Sequence, residues 1–312
     1  MLKIRPLPQN LQEIAEKELH EKTERLAADV TAIRNWLQKQ PHLHKVNPPD
    51  QIIVSFLRGN KFSLERTKEK LDMSYTLRTV VPELFQNRDP LDPKLNEILK
   101  RGLSLPLNTV KKGERSGRPV LLRYGFPDGK LFPVEDLMKI CYMVIEILMQ
   151  EDDNFIVVGE EAIVDLKDIS LAAIGQWTPA LAKKVITSFE KALPVRVKNM
   201  HLLNPPPGFE TMFAFIKSFM SDKLKKRIHF HNPPYESFHK QFSQEALPVE
   251  YGGKNGTIQE LTDYWKAKVE SYRDWFLAEE NIRSDESRRP EKPKTASSLF
   301  GLEGSFRKLD VD

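Results

Sequence analysis

Hydrophobic positions in the first hundred residues recur at the spacing of three to four residues that is typical of amphipathic helices. The pattern predicts one long helix from Leu11 to about Gln40, with an apolar face formed by Leu19, Leu26, Val30, Ile33 and Leu37. Further helices are predicted to begin near Pro49-Asp50 and at Ser63, and short ones over residues 82–85 and 95–99. The N-terminal third is therefore expected to be all helical.

The middle of the chain alternates short apolar runs of strand length with longer helical patterns. Strands are predicted over residues 119–124, 162–166, 195–203 and 227–231, and helices over 134–150, 178–192 and 209–220. This alternation is typical of an α/β/α sandwich with a mainly parallel sheet, so the predicted fold class is α/β.

The C-terminal part begins with a predicted helix over residues 257–281, on which Ile258, Leu261, Trp265, Tyr272 and Phe276 make one stripe. Residues 284–298 are rich in Arg, Lys, Pro and Ser and are expected to form a mobile tail. Residues 305–312 regain apolar side chains that are suited to docking. The predicted divisions are a helical domain over 1–95, an α/β domain over 96–255, and a C-terminal helix and tail over 256–312.

Composition narrows the class of protein. The 312 residues are 40% hydrophobic and 29% charged, as in ordinary globular proteins, and 48 basic against 44 acidic side chains give no sign of nucleic-acid binding. No apolar run reaches the roughly 18 residues of a membrane span, and the N-terminus lacks the apolar core of a secretion signal. With a single cysteine, Cys141, the chain fits a reducing compartment, and we expect a cytoplasmic protein.

One helical stripe suggests a function. Large, soft side chains follow the hinge-like sequence Asn204-Pro-Pro-Pro-Gly208, and they are Phe209, Met212, Phe213, Ile216, Phe219 and Met220. By itself the stripe is more typical of ordinary core. The alternative is a movable lid whose inner face touches a lipid and whose exposed aromatic side chains enter a bilayer surface.

Basic residues cluster around the same elements. Arg196 and Lys198 share one face of a predicted strand, and Lys217, Lys223 and Arg227 lie on or just after the lid helix. They form either a solvated surface or a docking site for anionic headgroups. In both cases the side chains are expected to face outward.

Signals for catalysis are poor. His229 and His231 would share a strand face, but no third ligand follows at metal-binding spacing, so structural histidines are favoured and neither a metal nor a cofactor is predicted. Cys141 has no neighbouring histidine or cationic cluster and is expected to be an inert thiol or pocket wall. Glu160, Glu161, Asp165 and Asp168 are more typical of loops and caps than of paired catalytic carboxylates. We therefore predict that the protein is not an enzyme; a hydrolase is the weakest alternative.

Several segments in order resemble the CRAL-TRIO lipid-binding family, in particular its alpha-tocopherol transfer protein and cellular retinaldehyde-binding protein branch. They are residues 56–62 (Phe-Leu-Arg-Gly-Asn-Lys-Phe), 117–122, 159–166, 193–204, 226–231 and 247–253. The resemblance implies a helical N-terminal domain and a sandwich with a five-stranded floor, closed by the Phe209 helix as a gate. It also implies binding of one hydrophobic lipid of the tocopherol, retinoid or carotenoid type. Transfer to phosphoinositide-containing membranes and transient association with membranes or endosomes follow from it. The alternative is a lipid-sensing regulatory module that recruits a protein partner through residues 284–312.

The resemblance also implies site residues. The pocket is expected to be lined by Met138, Cys141, Tyr142, Ile145, Val164, Trp177, Val185, Phe189, Val195, Val197, Met200, Phe209, Met212, Phe213 and Ile216. Phosphoinositide is expected to bind Arg196, Lys198, Lys217, Lys223 and Arg227.

Three departures from the family pattern bear on these expectations. The second arginine of the family's Phe-Leu-Arg-x-Arg pattern is Asn60 here, with Lys61 beside it, which indicates a weaker or shifted basic patch. The helix with Met138, Cys141, Tyr142 and Ile145 lacks the small hydroxyl residues that the resemblance assigns to a tocopherol pocket. Val195 replaces the acidic residue of the phosphatidylinositol-transferring branch, so a phosphoinositol headgroup inside the pocket is not expected.

Overall fold

The computed structural model describes residues 3–107 and 116–301. Its N-terminal helices are Gln9–Leu19 (α1), Leu26–Gln38 (α2), Asp50–Gly59 (α3), Leu64–Val80 (α4), Pro82–Phe85 (α5) and Pro93–Leu99 (α6). The predicted starts at Asp50 and Ser63 are confirmed, and the Ser63 hydroxyl caps α4 by accepting from the Arg66 amide. The division of the chain at residues 95 and 255 stays a prediction.

The single long helix predicted from Leu11 to about Gln40 is wrong. The chain leaves α1 at His20, which has a left-handed φ of 63°, and re-enters helix at Leu26. This turn buries Glu21, whose carboxylate accepts hydrogen bonds of 2.9 and 3.1 Å from the Arg58 guanidinium. The periodicity concealed the break because Leu19 and Leu26 are both buried on either side of it.

Five strands form one sheet within the described residues: Ser104–Pro106 (β1), Arg118–Arg123 (β2), Glu160–Asp165 (β3), Val197–Leu203 (β4) and Ile228–His231 (β5). They lie in chain order; β1 is antiparallel to β2 and the other pairs are parallel. The predicted α/β class with a mainly parallel sheet is confirmed. The three residues of β1 are too few to show the alternation of a strand, so β1 was not predicted.

Seven helices connect and cover the strands in this part of the described chain. They are Val134–Glu151 (α7), Asp153–Val157 (α8), Leu171–Gly175 (α9), Pro179–Thr187 (α10), Phe209–Ser218 (α11), Asp222–Lys225 (α12) and Glu236–His239 (α13). The helix predicted over 178–192 continues past α10 as a wider π turn, Ser188–Ala192. A continuous buried cluster runs from Ile53 on α3 through Ile147 on α7 to Ile163 on β3, so the N-terminal helices pack directly on the α/β part.

The C-terminal region contains Ile258–Ser271 (α14), Arg273–Glu279 (α15) and Ala296–Phe300 (α16). The helix predicted over 257–281 is therefore interrupted at Tyr272. Its apolar stripe packs back as expected, and the Trp265 indole donates a hydrogen bond of 2.9 Å to the Pro106 carbonyl.

Residues 284–301 differ from the expected mobile tail, because they pack on the helices. The amides of Ser284 and Asp285 donate to the carbonyls of Tyr75 and His42, at 3.1 and 2.8 Å, and Phe300 is 1% exposed. The charges that suggested mobility are used in ion pairs, since Arg289 bonds Asp72 and Glu286. The apolar end at 305–312 lies outside the described residues.

No helix within residues 3–107 and 116–301 has both the length and the apolar character needed to cross a membrane.

Candidate functional site

An apolar cavity of about 180 Å³ lies between one face of the sheet and helices α10 and α11. Because side chains of a strand alternate between faces, Ala162 and Val164 of β3 line it while Glu161 and Ile163 point to the opposite side. The inner face of α11 closes it with Phe209, Met212, Phe213 and Ile216.

The hinge before α11 has the geometry that its sequence suggests. Gly208 has a φ of 80°, a left-handed conformation that glycine adopts without strain, and α11 begins at the next residue. Phe209 and Phe213 stack with ring centroids 5.4 Å apart on the inner face, whereas Phe215 on the outer face is 41% exposed.

Most of the predicted pocket residues do line this cavity. They are Met138, Val164, Trp177, Val185, Phe189, Val197, Met200, Phe209, Met212, Phe213 and Ile216. Whether they bind a ligand stays a prediction.

Four predicted pocket residues lie outside the cavity. Cys141, Tyr142 and Ile145 come one to two turns after Met138 on α7, where the helix has passed beyond the cavity into the main core. The Tyr142 ring stacks 4.8 Å from that of Phe85. Val195 lines a separate basic groove instead.

The cavity also has walls that the sequence did not predict. They are Leu122, Tyr124, Glu160, Ala162, Leu166, Ile169, Ile174, Ile186, Leu202 and Leu224, while Met220 of the predicted lid stripe lines it as well. Strand alternation could have found Ala162 and Leu202, which are two residues from predicted lining positions. The expectation that Glu160, Glu161 and Asp165 belong to loops and caps is wrong, because all three lie in β3, and Glu160 is an acidic residue buried among apolar walls.

Glu160 is buried, with 5% of its surface exposed. Burial, and in smaller part the neighbouring Glu161 carboxylate, raises the pKa of Glu160 to about 7. No described residue donates a hydrogen bond to it or pairs with it.

A basic groove of about 460 Å³ lies beside the cavity, between the start of α4, the π turn and α12. Its cationic side chains are Lys61, Arg66, Lys70, Lys191, Arg196, Lys223 and Arg227, with Glu190 as the acidic one. Burial, helped by nearby Lys223 and opposed by Glu190, lowers the pKa of Lys70 to about 8. Burial and then Arg227, Lys61, Arg196 and Lys198 lower the pKa of Lys223, so these cations repel one another at close range.

The structure brings together most of the predicted basic residues. Arg196, Lys223 and Arg227 line the groove; Lys198 lies at its border, 3.8 Å from Glu18, while Lys217 on α11 lies outside it. Asn60 and Lys61 both line the groove, and the Asn60 amide donates a hydrogen bond of 2.9 Å to the Phe56 carbonyl.

The expectation that all these bases face outward is wrong for two of them. The Arg196 guanidinium donates to the carbonyls of Val157 and Val158, and that of Arg227 donates to the Val197 carbonyl. Both arginines therefore also tie strand ends to the fold.

Comparison with known proteins identifies the family. Residues 107–253 match the model of the CRAL/TRIO domain, and residues 22–95 match a Pinta-like UBA domain. The chain is 30% identical over 276 residues to the human alpha-tocopherol transfer protein-like protein, covering 88% of this chain and 78% of that protein. It is 26% identical over 242 residues to rat clavesin-1, covering 77% of this chain and 67% of that protein. The chain belongs to the CRAL/TRIO family.

CRAL/TRIO proteins bind small lipophilic ligands and transfer them, and they are generally not enzymes. A solved structure titled "Crystal structure of Sfh5" superposes with a TM-score of 0.48 at 13% identity, over 85% of this chain and 98% of that one.

A larger cavity of about 500 Å³ lies at the carboxyl ends of the strands, and charged side chains stand among its apolar walls. Arg123, Asp165, Tyr235 and Tyr251 line it, and the Asp165 carboxylate accepts hydrogen bonds from Tyr251 and Asn204. A lipophilic ligand fits the smaller apolar cavity better, because charged walls would have to be desolvated without compensation.

The histidines weighed as metal ligands have structural partners. His201 bonds His231 at 2.9 Å, and His229 bonds Asn199 at 3.1 Å. Burial, with smaller contributions from His201 and His229, lowers the pKa of His231 to about 4. Within the described residues, no group of three or more His, Cys, Asp or Glu side chains could hold a metal ion. Burial raises the pKa of the Cys141 thiol to about 12, which makes it a poor nucleophile.

Proposed function

We propose that this CRAL/TRIO protein carries one lipophilic molecule of the tocopherol, retinoid or carotenoid type in its apolar cavity and transfers it to phosphoinositide-containing membranes. The observation that carries the proposal is the adjacency of the two sites. Phe189, Val197 and Leu224 line both the apolar cavity and the basic groove. A headgroup in the groove would therefore contact the same side chains that enclose the lipid.

The volume of the cavity supports a moving lid. About 180 Å³ is below the roughly 300–1,000 Å³ of typical small-molecule sites. A tocopherol or retinoid can enter only if α11 moves away from the sheet. The glycine hinge at Gly208 and the short connection to α12 suit such a movement.

The groove supplies the attraction to the membrane. Lys61, Arg66, Lys191 and Lys223 are exposed, and each cation near an anionic surface contributes roughly 1 kcal/mol. A phosphoinositide headgroup, with several phosphates, could contact many of them at once. Transient membrane or endosome association of a cytoplasmic protein follows from this proposal.

The alternative of a module that recruits a protein partner through residues 284–312 has less support. Residues 284–301 pack on α4 and α10, and the Lys183 ammonium donates a hydrogen bond of 2.7 Å to the Phe300 carbonyl.

The test is the transfer of a fluorescent tocopherol analogue from the loaded protein to vesicles, with and without phosphatidylinositol bisphosphate. The wild type should transfer faster to the phosphoinositide vesicles. Lys61→Ala with Lys223→Ala should slow this transfer by about tenfold and leave transfer to neutral vesicles unchanged. Lys94→Ala with Lys100→Ala, which removes one exposed lysine of α6 and another directly after it, is the matched control. A wild type without vesicle preference would contradict the role of the groove.

A further inference from the structure

Glu160 is the one charged side chain in the described wall of the apolar cavity. It begins β3 and points to the same side as Ala162 and Val164, which line the cavity after it. Only 5% of its surface is exposed. A carboxyl group is thus placed among mostly apolar side chains, and the nearby polar groups of Tyr124 and Cys141 make no hydrogen bond to it.

The charged neighbours of Glu160 are engaged elsewhere. Arg118, its register partner on β2, is directed to Asp152, with Nε 3.1 Å from Oδ2. Glu161 points to the opposite face of the sheet, where its carboxylate accepts a hydrogen bond of 3.0 Å from Asn199. Within the described residues the Glu160 carboxyl has no hydrogen bond and no ion pair.

Buried polar groups in folded proteins are nearly always hydrogen-bonded, because an unsatisfied one destabilises the fold. Where such a group faces a cavity, a polar atom of the molecule that occupies the cavity can supply the missing partner. We propose that Glu160 is the polar anchor of the cavity and that the ligand is a lipophilic alcohol whose hydroxyl bonds the Glu160 carboxyl. This inference rests on the proposed function, because it names the chemical class of the molecule carried there.

An alcohol fits this wall better than a hydrocarbon or a cationic amine. Because burial raises the pKa of Glu160 to about 7, the carboxyl is partly protonated near neutral pH and can both accept and donate a hydrogen bond. A hydroxyl does the same. A hydrocarbon would leave the carboxyl without a hydrogen bond. The ammonium of an amine would be buried with the Glu160 carboxyl as its one partner, and that carboxyl is only partly charged.

Tyr124 supplies a second polar group in the same wall. Its hydroxyl contacts the Cys141 sulfur at 4.0 Å, a weak interaction that leaves the oxygen able to bond a ligand. The anchor thus comes from the sheet, although the sequence had suggested looking for it on α7, where Met138 is the residue that reaches the cavity.

The experiment compares polyenes that differ only in their polar end: retinol, retinyl methyl ether, retinal and retinylamine. Binding is measured by quenching of tryptophan fluorescence, since Trp177 lines the cavity. The wild type should bind retinol about tenfold more tightly than the methyl ether, because one hydrogen bond to a partly charged carboxyl contributes about that difference in affinity. Glu160→Leu should bind the two equally. Glu160→Gln, which keeps a hydrogen-bonding group, should retain part of the preference.

Glu161→Gln is the matched control, because it changes the adjacent carboxylate on the opposite face, and it should keep the full preference. A preference for retinol that persists in Glu160→Leu overturns the inference, as does a wild type that binds all four polyenes equally or prefers retinylamine. If none of the polyenes binds any variant, the proposed carrier function itself fails. Should Glu160→Leu not fold, Glu160→Gln against Glu161→Gln gives the same decision.

Discussion

Arg289 donates a hydrogen bond of 2.9 Å to the carboxylate of Asp72 on α4, although the two residues are 217 positions apart. The same carboxylate accepts from the Lys294 ammonium and lies 2.6 Å from the His42 ring. One buried anion therefore holds the C-terminal segment 284–301 on the N-terminal helices.

Replacing Asp72 with Ala should release this segment. Loss of the carboxylate leaves the Lys294 ammonium without its partner and Arg289 with Glu286 alone, and breaking a buried ion pair costs about 3 kcal/mol of unfolding free energy. Limited proteolysis should then cut within residues 284–301 well before the rest of the chain. Asp263→Asn, at an exposed position on α14, should leave the segment protected. Equal protection in both variants would show that the segment is held by its apolar contacts, such as Phe300.

The sequence pattern predicted which helices and strands this fold contains better than it predicted where each of them begins and ends. Period and length were enough for β2, β3 and α7, because each buries apolar side chains along most of its length. The break at His20 and the packing of residues 284–301 were not predictable, because both depend on charges that meet only in the folded chain: Glu21 with Arg58, and Asp72 with Arg289.

The lid assignment leads to a paired test on α11. Phe213→Asp places a carboxylate in the apolar cavity, where burial is unfavourable, and should abolish retention of a retinoid or tocopherol and lower stability by about 3 kcal/mol. Phe215→Asp changes the exposed face of the same helix and should leave equilibrium binding near normal. Binding titrations and thermal unfolding of both variants provide the measurement. Wild-type affinity in a folded Phe213→Asp protein would show that α11 does not enclose the ligand.

Glu160 should make stability depend on pH with a defined sign. Its pKa is raised by burial from 4.5 to about 7, so across this window the folded protein retains a proton that the unfolded chain has released. Stability therefore falls as pH rises from about 4.5 to 7, by about 3 kcal/mol in total. Glu160→Gln should match the wild type near pH 4 and exceed it by this amount near pH 8, as measured by denaturant unfolding. Parallel pH profiles for the two proteins would contradict the raised pKa.

Cys141 should be unreactive in the folded protein. With its pKa raised to about 12 by burial, only about one thiol in ten thousand is ionised at pH 8. As the single cysteine of the chain, it can be followed directly with a chromogenic disulfide reagent. Labelling should be no faster than unfolding, and Cys141→Ser should transfer ligand at a near-normal rate. Rapid stoichiometric labelling of the native protein would point back to a reactive thiol.

Only those residues of the candidate site that follow a regular spacing could be predicted from the sequence. The stripe on α11 and the pair Arg196 and Lys198 follow from spacing alone. The anchoring role of the Arg196 guanidinium, and the burial of Glu160 without a partner, depend on how the starts of neighbouring strands β3 and β4 pack together, which residue spacing does not reveal.

The groove arginines support the fold and also add positive charge, whereas the lysines only add positive charge. Single substitutions can separate these two roles. Arg196→Ala removes the donor to the carbonyls of Val157 and Val158 and should lower stability by about 2 kcal/mol, whereas Lys223→Ala, at an exposed position, should change it by no more than about 0.5 kcal/mol. Both should slow transfer to phosphoinositide vesicles, and added salt should slow the wild type in the same way because it screens charges beyond roughly 8 Å. Thermal unfolding and vesicle transfer, measured on the same preparations, give the comparison. If Arg196→Ala unfolds at the wild-type temperature, the guanidinium does not support the strand ends. If Lys223→Ala transfers ligand at the wild-type rate at every salt concentration, the groove does not meet the membrane through α12.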